Sequence, residues 1–103
     1  MSLNEFIRRT WLENAEIALD LADRLVAHGA TLAAEGLEVA ARTAQALDAA
    51  HRLAGSLGMY GLSEGSELAS LLEDQLRLGG LMSVSEFSRI AQCLRQEIVD
   101  ADV

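Results

Sequence analysis

Apolar residues recur along this chain at steps of three and four, the period of a helix and not of a strand. From Asn4 to His28 the stripe is Ile7, Trp11, Ala15, Ala18, Ala22, Leu25 and Val26. Arg8, Arg9, Glu13, Glu16, Asp20, Asp23 and Arg24 fill its polar positions, so an amphipathic helix is predicted over 4–28. His28-Gly29 reads as its stop, because glycine favours the left-handed residue just past a helix end. His28 then sits where the helix dipole favours a cation. Residues 30 to 36 either prolong this helix or connect it to the next.

A second helix is predicted over 37–60, with Val39, Thr43, Leu47, Ala50, Ala54 and Leu57 as its core face and Gly61 at its C-cap. Ser63 offers an N-cap for a third helix over 64–78. There Leu68, Leu72 and Leu76 form a ridge that Leu71 and Leu78 widen, and Gly79-Gly80 ends it. Ser83, followed three residues later by Glu86, is a capping box opening a fourth helix over 83–100. Its stripe is Val84, Phe87, Ala91, Leu94 and Ile98. Short connections favour antiparallel neighbours, so the expected architecture is an all-α, up-and-down four-helix bundle. The whole chain, 1–103, reads as one domain, with Met1-Ser2-Leu3 set apart as a leader and the rest as a piece that a longer protein could contain.

Composition supports the helical reading. Half the residues are hydrophobic, mostly Ala and Leu, with no proline and only 4% aromatics, whereas strands prefer β-branched and aromatic residues. The aromatic residues Phe6, Trp11 and Phe87 are expected in the core. The net charge is −8, and an acidic surface repels phosphate backbones, which argues against nucleic acid. The single Cys93 cannot form an internal disulfide, which fits a reducing cytoplasm. No apolar run is long enough to cross a membrane.

One stretch of the second helix breaks the pattern. Glycine in a helix interior costs about 1 kcal/mol relative to alanine, yet two follow His51, at Gly55 and Gly58. With Ala44 they share a sector of about 60° with the histidine. His51 therefore stands in a strip without bulky neighbours, roughly 60–80° off the centre of the expected core face. It is eleven residues before Leu62, at the turn, and Glu73 is eleven after it. In an antiparallel hairpin such residues are level, which makes Glu73 the best candidate to face His51; Ser70 and Asp74 are the neighbouring options. A carboxylate holding the proton on one ring nitrogen fixes the tautomer and leaves the other nitrogen nucleophilic. Arg52 and Arg77 could attract an anion arriving there. Spacing alone equally allows an ordinary boundary histidine beside a solvated glutamate.

Other chemistries have less support. No second histidine or cysteine lies at a spacing that completes a metal set. Ser56 has no base within reach on its own helix. There is no Walker loop or dinucleotide fingerprint, because every glycine pair lies within or between helices.

His51-Arg52-Leu53-Ala54-Gly55-Ser56 resembles the His-x-Leu-Lys-Gly-Ser signature of histidine-containing phosphotransfer (HPt) domains, the four-helix carriers of multistep two-component phosphorelays. The similarity continues through Leu57-Gly58-Met59-Tyr60-Gly61-Leu62 to Leu72-Glu73. The resemblance implies that His51 is the phosphoacceptor, that Gly55 leaves room for the phosphoryl group and the partner, and that Glu73 holds the imidazole. Gly58, in the same strip, is grouped with Gly55. The family's usual lysine, three after the histidine, is Ala54 here, with Arg52 or Arg77 left to supply charge. The implied partners are a response-regulator receiver domain, a histidine kinase or both. The implied mechanism is passive: the domain does not phosphorylate itself, needs no cofactor of its own, and relies on Mg²⁺ in the partner's receiver domain. A competing reading from another class is a non-catalytic module that docks to receiver domains, and exposure of His51 separates the two.

Overall fold

The computed structural model describes residues 1–35, 40–78 and 82–103, with the side chains of 33–35 and 40–42 left aside. Four helices follow one another: α1 (Leu3–Glu35), α2 (Ala40–Met59), α3 (Ser63–Leu78) and α4 (Val84–Val99). Among the described residues there is no strand. Each helix packs on two others, in the cyclic order α1, α2, α3, α4 and back to α1. Cross-helix partners run in opposite chain directions. On α1 and α4, Asp23 meets Arg95 and Arg8 meets the carbonyl of Val103. On α2 and α3, His51 meets Glu73 and Ala54 meets Ser66. The result is an antiparallel up-and-down bundle about 50 × 20 × 20 Å.

The helix ends follow local chemistry. Ser83 is extended, and its Oγ accepts the backbone N–H of Glu86 at 3.1 Å, half of the predicted capping box. Gly61 has φ +76°. Its N–H bonds to the carbonyl of Gly58, and that of Leu62 bonds to Leu57, the Schellman pairing that turns the chain from α2 into α3. Ser63 is not the N-cap of α3. It already lies within the helix, and the carbonyl of Leu62 accepts the N–H of Ser66. At the start of α1, Ser2 Oγ accepts the N–H of Glu5 at 3.1 Å, so Ser2 caps that helix.

The core contains at least one fully buried leucine from every helix: Leu25, Leu53, Leu57, Leu72 and Leu94. Burying each stabilises the fold by about 1.5–3 kcal/mol relative to exposure. Trp11 closes one end, edge-on to Tyr60 with ring centroids 5.2 Å apart. Phe87 is buried as expected, but Phe6 is 57% exposed.

Besides Ser63 and Phe6, three further expectations about the helices are corrected. The first concerns α1, which does not stop at Gly29 but continues to Glu35. Gly29 is a packing residue: a Cβ there would meet Ser88 Oγ at 2.7 Å and Phe87 Cδ1 at 3.3 Å. His28 is therefore not at a helix end. It is buried inside α1, edge-on to Phe87 at 5.6 Å.

The second concerns the core face of α2. It is centred on Ala46, Ala49, Ala50, Leu53 and Leu57, about 60° from the expected stripe, because α2 is wedged between α1 and α3 and both must be covered. Thr43, Leu47 and Ala54 are only half-buried.

The third concerns α3. Leu71 is half exposed and Leu78 is 77% exposed, while Gly65 and Ala69 are buried. Small residues mark the line where α3 comes closest to its neighbours: a Cβ on Gly65 would lie 3.0 Å from Leu57 Cδ1. The start expected at Leu37, the face residue Val39 and the stop at Gly79-Gly80 lie outside the described residues.

Candidate functional site

The rotation of the core face carries His51 outward. It is not a boundary residue: its side chain is 69% exposed. Ala44, Gly55 and Gly58 are also exposed, so the strip without bulky neighbours is an open surface. At Gly55 a Cβ would meet nothing within 4 Å, so no neighbouring helix requires glycine there. Gly58 differs. A Cβ on it would touch Ser66 Oγ at 3.4 Å, which places it at the seam with α3. Across that seam Ser66 Oγ donates to the carbonyl of Ala54 at 2.7 Å.

Glu73 reaches His51 from α3. Its Oε2 is 2.7 Å from Nδ1, and its side chain is only 12% exposed. An ionised carboxylate can only accept, so this bond requires the proton on Nδ1 and leaves Nε2 as the free nitrogen. Ser70 and Asp74, the neighbouring options, do not take this place; Asp74 is exposed and Ser70 half-buried. Arg77, one turn after Glu73, donates from Nη2 to the same Oε2 at 2.9 Å. Arg52 pairs with Asp48 on its own helix at 3.8 Å.

A shallow depression of roughly 300 Å³ lies beside the imidazole, lined by Ala44, Leu47, Asp48, His51 and Arg77. Leu47 is expected from the sequence only as a core-face residue, and Asp48 has no expected role at the site. Their positions, four and three residues before His51 on one helix, are the signal that could have found them. Among the described residues no cluster of three or more His, Cys, Asp or Glu side chains could hold a metal. No described helix is long and apolar enough to cross a membrane.

An exposed imidazole on the second helix of a four-helix bundle, held through one nitrogen by a carboxylate from the third, now stands beside the motif that surrounds it. The family model of the Hpt domain matches residues 7–101. This chain belongs to the Hpt family. Hpt domains act in histidine phosphotransfer within two-component phosphorelays, where they meet receiver domains and kinases. Comparison with curated proteins and with solved structures finds no match. The match takes in all four helices, including the part of α1 beyond Gly29.

Proposed function

We propose that this Hpt domain carries a phosphoryl group on Nε2 of His51, taken from a kinase or from a receiver's phospho-aspartate and passed to another receiver aspartate. The observation that carries the reading is the pairing of the two ring nitrogens with opposite environments. Nδ1 is held by a nearly buried carboxylate, while the side chain as a whole is 69% exposed.

In the transfer, the Nε2 lone pair attacks phosphorus in line. The N–P bond forms as the bond to the donor's carboxylate oxygen breaks, and the electron pair leaves with that oxygen. The proton on Nδ1 stays where it is, and Glu73 offsets the positive charge that the ring gains. The open space above Gly55 admits the phosphoryl group and the partner's surface, with Gly58 one turn further along the same open strip. Mg²⁺, which neutralises charge on the transferring group, belongs to the receiver. Arg77, which shares the Glu73 oxygen and lines the depression beside the imidazole, is the stronger candidate for charge support, and Arg52, tied to Asp48, is the weaker one. A cytoplasmic setting suits such an exchange.

The experiment is incubation with receivers charged by acetyl phosphate. The expected product is an acid-labile, base-stable phosphoryl group that a His51→Gln variant does not acquire. A folded domain that binds charged receivers and never acquires phosphate would instead be the non-catalytic docking module.

A further inference from the structure

The depression beside the imidazole has an anion on its rim that the transfer described above does not use. Asp48 lines it, together with Ala44, Leu47, His51 and Arg77. Its side chain is 62% exposed, and it stands three residues before His51 on α2. Residues at that spacing are neighbours on a helix surface, with Cβ atoms about 5–6 Å apart. Long side chains on a helix also lean toward its N-terminus, so the imidazole covers the turn that carries Leu47 and Asp48. The cations nearby are placed otherwise. Arg77, on the far rim, is already paired with Glu73 at 2.9 Å. Arg52 reaches Asp48 only at 3.8 Å and does not line the depression. A pair that long and that solvated does not hold the carboxylate away from the imidazole.

We propose that Asp48 raises the transfer potential of phospho-His51: its negative charge disfavours the carried phosphoryl group and so favours delivery to a receiver over storage. This rests on the phosphotransfer reading of His51. In delivery, the Nε2–P bond breaks and its electron pair returns to Nε2, while phosphorus bonds to a carboxylate oxygen of the receiver's aspartate. Only the histidine side of this exchange sets an anionic phosphoryl group beside Asp48. The carboxylate therefore acts on one side of the equilibrium. The phosphoryl group is bonded to the ring and cannot leave this neighbourhood. Screening at physiological salt extends over about 8 Å, so the repulsion is weakened and not abolished.

The test is the ratio of phospho-His51 to receiver phospho-aspartate at equilibrium, in the parent and in Asp48→Asn, Asp48→Glu and Glu16→Gln. Glu16 lies across the bundle, in a hollow between α1 and α4 lined also by Ala15, Leu19, Ile98 and Val99. Its substitution removes the same charge far from the histidine. Asp48→Asn is expected to raise the ratio about two- to fivefold. Asp48→Glu should stay near the parent, and Glu16→Gln should match it. The difference between Asp48→Asn and the parent should shrink in about 1 M salt, where screening acts within about 3 Å. Phosphoramidate charges a histidine without any receiver: phosphorus passes from its nitrogen to Nε2 and ammonia leaves. It should charge Asp48→Asn faster than the parent by a similar factor. Three results would overturn the proposal. One is a ratio that Asp48→Asn does not move. Another is an equal shift in Glu16→Gln, which would make net charge the cause. The third is a changed dependence on receiver concentration with the ratio and the phosphoramidate rate unmoved, which would make Asp48 a docking contact. A parent that takes phosphate from neither donor sinks the phosphotransfer reading and this one with it; an unmoved ratio in a domain that does carry phosphate sinks this one alone. Circular dichroism confirms that each variant is folded.

Discussion

His51 and Glu73 are 22 residues apart in sequence and 2.7 Å apart in space, joined Nδ1 to Oε2 across the seam between α2 and α3. The turn at Gly61-Leu62 makes them level, and the rotation of α2 about its axis leaves the imidazole exposed while the carboxylate is nearly covered. Removing the carboxylate should therefore affect the chemistry more than the fold. Glu73→Ala is expected to slow phosphorylation of His51 by roughly tenfold or more, since a hydrogen bond to a charged group contributes about 1.5–3 kcal/mol. Rates with a charged receiver check this, and ¹⁵N spectra should show the proton distributed over both ring nitrogens. Transfer unchanged from the parent would remove Glu73 from the mechanism.

Gly55 and Gly61 make a matched pair. A Cβ at either would meet nothing within 4 Å, but only Gly61 has a positive φ, +76°. Gly55→Ala is expected to raise stability by up to about 1 kcal/mol, because alanine is the better helix former. Gly61→Ala is expected to lower it by about 1–2 kcal/mol, because an L residue is strained in the left-handed region. Thermal melts of the two variants should move in opposite directions.

The space above Gly55 also separates fold from function at a single position. Gly55→Gln should remain helical and melt close to the parent, yet block transfer, because its side chain projects beside His51 where the partner must approach. Melts and receiver assays on the same preparation check both halves. Unaltered transfer by a folded Gly55→Gln protein would show that this glycine does not clear the path.

Gly29 predicts the contrary behaviour. A Cβ there falls 2.7 Å from Ser88 Oγ, and Phe87 Cδ1 and Ser88 Cα follow at 3.3 and 3.4 Å. A hydroxyl can rotate away, but the backbone of α4 cannot. Gly29→Val should therefore destabilise the bundle by about 1–3 kcal/mol through overpacking. Gly29→Ala should be less costly, and Ser88→Ala should relieve part of its cost. Denaturant unfolding of the single and double variants measures the coupling.

Much of this protein was legible in residue spacing. The stripe of α4 was read with little error: Phe87, Ala91, Leu94 and Ile98 are all buried, and only Val84, in the first turn, is partly exposed. A helix packed on two sides presents a broad apolar arc with one centre, and α4 has bulky residues along the middle of its arc. The level pairing of His51 with Glu73 was legible for a related reason. The Schellman turn at Gly61 is short and rigid, so counting residues outward from it conserves height along the helices.

By itself the sequence determined the number of helices, most of their ends and the all-α class, and it put Glu73 level with His51 while leaving Ser70 and Asp74 as alternatives, since these depend on period, on capping chemistry and on distance from a tight turn. Only the tertiary structure decided what the small residues are for. Gly29 looks like a helix stop and is a contact with α4. Gly65 stands outside the apolar pattern of α3 and is the place where Leu57 fits. Gly55 is a costly residue inside α2 and lies in open space. A glycine lacks the side chain that would reveal its neighbour, so its meaning lies in what approaches it. The same holds for the rotation of α2. Alanines and leucines ring much of that helix, and which of them faces inward was settled by the shapes of α1 and α3. That choice put His51 on the surface, and it put Arg77 on the carboxylate oxygen that the imidazole also uses.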